Sequence, residues 1–415
     1  MTSNTLSEQK RIPELMQALH LPPGPYDKTI PGGPSSLIYG MDIPVPKPSA
    51  REYLIKVKAT TVHVSEVQAD VCDGDSLASS AAAKTATTPT TTPTKATKFK
   101  THGPIPGREF CGIVISTPKE DHSSSTGPLF KVEDDVIGLL DFSHDGAAAD
   151  YVLATENELA RKPQNISAAE ASTVPFASLT AWQGLFCYAN LDPDDGPCNR
   201  PADGPLRVLV TNAASSEVGR QVMRLLQCRS LFPEHCAHMM GKAGKAAESA
   251  VWICATGTRD EHEYLQKTLG ADAVTAGTDI AAAFRENGWD PVDIVFDCLA
   301  VGGASLRQVH SPVVVKDHGH VITPSRPPSS HPEKPAEMEE QAEIRTRNLT
   351  SEVIRAKPDR KQLTAIAKLI EKGVLKAAEF LRVEDLLHGR EALIQAERAS
   401  GAQGLAVLRV DPALD

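Results

Sequence analysis

The chain has 415 residues, too many for one ordinary hydrophobic core, so two domains are expected. A hydrophobic content of 41% with 23% charged residues is that of a globular protein, and a formal net charge of −10 without a Lys/Arg stripe argues against nucleic acid as the main partner. The eight cysteines are scattered, which excludes a zinc-finger spacing or a disulfide scaffold.

Cys111, Cys187, Cys254 and Cys298 lie in apolar runs and read as buried free thiols of a reducing compartment. Residues 1–30 are mixed polar and Pro-rich with no apolar signal core, and no uncharged apolar run approaches the ~20 residues of a membrane span. A soluble, cytoplasmic protein is expected, with neither membrane nor nucleic-acid partner.

Residues 1–29 read as an N-terminal extension. From 30 to 175 the chain is β-rich, with alternating runs such as 53–59 broken by Pro and Gly turns. This region is interrupted at 77–101 by a tract of Ala, Ser, Thr, Pro and Lys, whose composition predicts a disordered insertion. From 176 to 345 short apolar strands at 207–211, 251–255, 293–297 and 320–323 alternate with helical stretches at 218–228, 260–269, 279–287 and 303–310. That alternation predicts a doubly wound parallel sheet. Residues 229–250 read as a second insertion and 324–336 as a Pro-rich loop. The C-terminal part reads as helix 361–371, strand 377–383, helix 384–396 and strand 404–410.

The most informative stretch is Arg207-Val-Leu-Val-Thr-Asn-Ala-Ala-Ser-Ser-Glu-Val-Gly219, an apolar strand running through a small-residue turn into a helix. Such a turn docks a dinucleotide pyrophosphate, because small residues let backbone approach and the helix start offers N–H groups. Ala214 and Ser216 stand where the first two glycines belong, Gly219 is kept, and Glu217 adds a negative charge beside the expected phosphates.

Five strings in order, Ile105-Pro-Gly-Arg-Glu-Phe-Cys-Gly-Ile-Val114, Val132-Glu-Asp-Asp-Val-Ile-Gly138, Gly146-Ala-Ala-Ala-Asp-Tyr-Val152, Ser172-Thr-Val-Pro-Phe-Ala-Ser-Leu-Thr-Ala-Trp-Gln183 and Leu269-Gly-Ala-Asp-Ala-Val274, resemble motifs of the medium-chain dehydrogenase/reductase superfamily in its zinc-free, quinone-oxidoreductase-like branch. The resemblance implies an α/β architecture: a GroES-like β-barrel domain from 30–175 plus 346–415, and a Rossmann doubly wound parallel-sheet domain from 176–345. It also implies a ligand cleft at the carboxyl ends of the parallel strands.

The resemblance carries site residues with it. The zinc-ligand positions of zinc-dependent relatives fall on His63, Arg108 and the stretch 175–180, which has no Cys, His or acid, so no metal is expected. His63 and Ser65 become candidates to give a proton or hydrogen bond to a substrate carbonyl; the alternative is a His63 held by local backbone, with Glu66 bracing Arg108. Val218 and Gly219 would lie beneath the pyrophosphate, and Thr180 at the nicotinamide end. Gly257, Thr258 and Arg259 fall at the ribose, where the absence of a strand-end acid favours a 2′-phosphate and hence NADPH over NADH. The alternative there is an Arg259 solvated at a helix start. The implied function is a zinc-independent, NADPH-dependent reductase of an activated C=C or C=O bond in an enone, quinone or enoyl thioester. It would act on a small molecule as a monomer or homodimer, in specialised metabolism. The alternative is a redox-inactive relative with an impaired cofactor site, used for small-molecule binding or as a scaffold.

Overall fold

The computed structural model describes residues 12–22, 33–68, 102–119, 127–141, 144–191, 205–232, 250–276, 279–298, 308–324, 342–378, 382–400 and 404–411. The predicted insertion at 77–101 lies outside them, as do most of 229–250, most of the 324–336 loop and residues 303–307 of the helix predicted at 303–310. The strands are β1 (Leu15–His20), β2 (Ile38–Pro44), β3 (Glu52–His63), β4 (Glu109–Ser116), β5 (Asp135–Leu139), β6 (Tyr151–Thr155), β7 (Leu159–Arg161), β8 (Leu206–Val210), β9 (Val251–Thr256), β10 (Ala273–Thr275), β11 (Val292–Phe296), β12 (Val315–Pro324), β13 (Thr350–Ile354), β14 (Val383–Asp385) and β15 (Leu405–Arg409). The helices are α1 (Ala168–Ala171), α2 (Pro175–Gln183), α3 (Glu217–Leu226), α4 (His262–Lys267), α5 (Ile280–Asn287), α6 (Arg360–Glu371) and α7 (Gly389–Ser400).

Two compact units divide the chain: 1–136 with 142–156 and 382–415, and 137–141 with 157–381. These limits differ from the expected ones. Residues 157–175 and 346–381 lie in the second unit, where β13 pairs with β12 and α6 packs against α2 and β7. Residues 12–22 are no extension, since β1 pairs antiparallel with β2.

In the first unit the long strand β3 is the organising element. It pairs antiparallel with β4, β6 and β15, and β15 in turn pairs in parallel with β14. Its core gathers Leu19, Val62, Val64, Ile105, Leu393 and Leu408, all at most 2% exposed. The predicted strand 377–383 and helix 384–396 are corrected here. Strand β14 begins only at Val383, a 3-10 turn covers Leu386–His388, and α7 runs from Gly389 to Ser400.

In the second unit six parallel strands take the order β10-β9-β8-β11-β12-β13. Chain order thus reverses beside β8, the switch point at which open α/β sheets place a ligand. The helices that cover the sheet carry local start signals. Asp279 and Asp359 accept N–H bonds in the first turns of α5 and α6, and the left-handed Gly288 (φ 65°) ends α5. Leu363, Ile366, Ala367 and Ile370 recur along α6 at helical spacing and are buried. Among the described residues no helix is long and apolar enough to cross a membrane.

Candidate functional site

Strand β8 delivers the chain into the turn 211–216 at the switch point. Asn212 takes a left-handed φ of 49° there. Its N–H donates to Thr256 Oγ1 at 2.9 Å, and the Ala213 N–H donates to the Thr256 carbonyl at 3.1 Å. Thr211 Oγ1 donates to Asp297 Oδ1 at 2.7 Å, so the turn is fastened to the strand-end residues on either side of β8.

Helix α3 starts directly after this turn. Ser216 is its N-cap, with Oγ accepting the Gly219 N–H at 3.1 Å. A Cβ on Gly219 would lie 3.0 Å from Ala213 Cα and 3.2 Å from Ser216 Cβ, so the helix base packs closely on the turn and a larger residue would make the turn give by a few tenths of an ångström. Val218, Val222, Leu225 and Leu226 form the buried stripe that holds α3 on the sheet. Ala214, Val218 and Gly219 are buried, while Ser216 and Glu217 are half-buried.

The residues expected at the ribose follow β9. Gly257 is buried, while Thr258 and Arg259 are exposed. One residue here escapes the sequence reading. Glu261 accepts the Thr258 N–H at 2.7 Å on Oε2 and the Ser215 hydroxyl at 2.5 Å on Oε1. Burial raises its pKa, but bonds from Ser215 and Thr258 and the charge of Arg220 outweigh it and hold the carboxyl below the usual range. Arg220 Nη1 in turn donates to the Ala214 carbonyl. The pattern Thr258-x-x-Glu261 signals a capping box, which finds half of this arrangement; the Ser215 contact spans 46 residues and has no local signal.

Thr180 lies in α2, which packs against α3. Its hydroxyl donates to the Phe176 carbonyl at 2.7 Å and it is 1% exposed. Cys254 and Cys298 are buried, and burial pushes both thiols up to about 12, out of use as nucleophiles at neutral pH. Cys111 is buried as expected, but Cys187 lies beyond the end of α2 and is exposed, with its Sγ accepting from Gln362 Nε2 at 3.7 Å.

The first unit holds the other predicted residues. His63 ends β3, Glu109 opens β4, and Thr61 pairs with Glu109 across the two strands. This register brings His63 Nε2 to 3.2 Å from Glu109 Oε1, with the Glu109 side chain 2% exposed. The Glu66 carboxylate accepts the His63 N–H at 3.0 Å and the Gly107 N–H at 2.9 Å. It therefore ties two backbone segments together, while Arg108 Nη1 donates to the His144 carbonyl at 2.7 Å. Ser65 is half-buried, and among the described residues its hydroxyl has no hydrogen-bond partner. No group of three or more His, Cys, Asp or Glu among the described residues is placed to hold a metal ion.

Residues 269–399 match a family described as zinc-binding dehydrogenase. The chain is 31% identical over 277 residues to "Probable zinc-binding oxidoreductase, mitochondrial" of Arthroderma benhamiae, covering 66% of this chain and 71% of that one. It is 29% identical over 196 residues to "Quinone-oxidoreductase homolog, chloroplastic" of Spinacia oleracea, covering 47% of this chain and 49%, about half, of that protein. The structure of the quinone oxidoreductase from Coxiella burnetii superposes with a TM-score of 0.63 at 19% identity, over 96% of this chain and 100% of that one, a likeness of fold. Fold and relatives together define an oxidoreductase with one GroES-like β-barrel domain and one Rossmann domain. The chain belongs to the medium-chain dehydrogenase/reductase superfamily, in its quinone-oxidoreductase-like branch.

Proposed function

We propose that the protein is a zinc-independent reductase that uses NADPH to reduce an activated C=C or C=O bond, in an enone, quinone or enoyl thioester. The observation that carries this reading is the β8–α3 turn. It retains the switch-point position, the tight Gly219 contact with Ala213 and a helix start facing an anion-binding turn, despite losing two of the usual glycines.

A bound reduced nicotinamide would supply hydride to the electron-poor carbon. The chain's own residues do the rest. The backbone at Ser216–Gly219 receives the diphosphate, and Thr258 with Arg259 suits a 2′-phosphate. Thr180, whose proton is committed to Phe176, offers acceptor lone pairs only. His63 Nε2 and Glu109 Oε1 stand 3.2 Å apart, and the Ser65 hydroxyl, which has no hydrogen-bond partner among the described residues, would donate to a substrate oxygen as negative charge develops on it.

The donor set does not suit zinc. His63 Nε2 is engaged by Glu109, a guanidinium at Arg108 has no lone pair to give, and 175–180 supplies no ligand. In this reading the protein acts on a small molecule, as a monomer or homodimer, in a reducing compartment such as the cytoplasm.

Glu217 and Glu261, two carboxylates at the turn, favour a second reading: a family member without redox chemistry. Calorimetric titration with NADPH, followed by an assay of NADPH oxidation over a panel of enones and quinones, separates the two. Saturable binding with turnover is expected. Absence of binding up to millimolar NADPH would remove the reductase and leave the second reading.

A further inference from the structure

Glu261 does more than a helix start requires. A capping box uses one carboxylate oxygen, here Oε2 on the Thr258 N–H. The other oxygen reaches 46 residues back to the Ser215 hydroxyl, inside the turn that follows β8. The carboxylate also lies close to Gly257: a Cβ there would be 2.8 Å from Leu265 Cδ1 and 2.9 Å from Glu261 Oε2. Arg220 supplies a neighbouring positive charge. A hydroxyl donor, an N–H donor and a cation thus converge on one anion, at the carboxyl ends of β8 and β9 where the fold places the adenosine ribose.

We propose that Glu261 is a stand-in anion: it occupies the donors that a dinucleotide 2′-phosphate uses, and NADPH binds by displacing it. The proposal rests on the NADPH reading above and adds the residue that sets its strength. A dianionic phosphate competes with the carboxylate for Ser215 and Thr258, with Arg220 and the exposed Arg259 as its counter-ions. NADH lacks that phosphate and has no need to move Glu261. The native chain therefore holds NADPH more weakly than its donors would allow.

The test is calorimetric titration of the native protein and of Glu261→Gln with NADPH and with NADH, at one fixed salt concentration. Glutamine keeps an acceptor for the Thr258 N–H, so the variant retains the cap, and an unchanged melting temperature checks that it folds. Removing the charge is expected to tighten NADPH at least about tenfold and to change NADH by less than about threefold. An NADPH affinity that stays equal or falls overturns the proposal. So does a loss of NADH affinity, which would make Glu261 an acceptor for the ribose hydroxyls. If the native protein binds NADPH and the variant matches it, only the stand-in role is lost. If neither binds either dinucleotide, the cofactor reading falls with it.

Discussion

The turn after β3 and the turn after β8 solve the same problem by opposite means. Each must hold polar groups at the end of a strand without regular pairing. In the first unit one carboxylate does the work: Glu66 reaches across to Gly107 and fastens the end of β3 to the segment that opens β4. In the second unit the backbone is held chiefly by its neighbours, with Asn212 and Ala213 bonded to Thr256 and Ser216 capping α3. A turn whose N–H groups are met by two hydroxyls and a carbonyl, with the Glu261 carboxylate held at Ser215, admits an incoming anion once that carboxylate is displaced. A turn filled by a charged side chain is already complete. The two are therefore expected to differ in how much stability one atom carries.

The largest expected effect belongs to Gly107→Ala. Its φ of 93° lies where L side chains rarely settle. An added Cβ would fall 2.7 Å from Thr60 Oγ1 and 3.0 Å from the Ala148 backbone nitrogen. Thr60 cannot yield freely, because it is fully buried and its hydroxyl donates to the Glu109 carbonyl at 2.8 Å. Strain and overpacking together should cost about 3 kcal/mol, seen as a shifted denaturant midpoint or as loss of folded protein. A midpoint equal to that of the native protein would show that the turn in the first unit is soft, and the contrast would fail.

Glu66→Gln comes next. The amide oxygen can accept one of the two N–H bonds, while the NH2 group meets the other donor head on. One half-buried N–H left without a partner should cost about 1–2 kcal/mol in the same titration. The His63–Glu109 contact provides a second readout. Since Glu66 fixes the His63 backbone, the imidazole resonances of His63 should shift in the variant while those of His310, in the second unit, stay in place.

The difference between the turns also explains what was legible in the residues. Strands 207–211, 251–255 and 293–297 are apolar because both faces of a central parallel strand are covered, and they fold within a residue of the expected places as β8, β9 and β11. Strand β13 carries Thr-Ser-Glu-Val-Ile and exposes its middle three residues at the sheet edge. It therefore lacks the apolar run that announces a strand, and the second unit extends past the expected limit at 345. Strand β14 is polar for a similar reason, since only three residues pair with β15. The glycine-poor turn was legible, as strand, small residues and helix are contiguous. The pairs that give it and its counterpart their character were not. Ser215–Glu261 and His63–Glu109 each join residues 46 apart in the chain, and only the fold makes them neighbours.

The smallest effect, and the one that sharpens the comparison most, is expected from Ser216→Gly. The substitution restores a glycine where dinucleotide turns usually have one and removes the Oγ that occupies the Gly219 N–H. Glycine is itself a tolerated N-cap, so stability should fall by only a few tenths of a kcal/mol, whereas Ser216→Ala should lose about 1 kcal/mol. Dinucleotide affinity should move the other way, because the freed N–H becomes a donor for phosphate at the start of α3. Equal melting behaviour with tighter NADPH binding would mean that the serine trades ligand affinity for a self-contained turn. Weaker binding in the glycine variant would instead make the Ser216 hydroxyl a phosphate donor, and a side chain rather than the backbone alone would then hold the anion in the second turn.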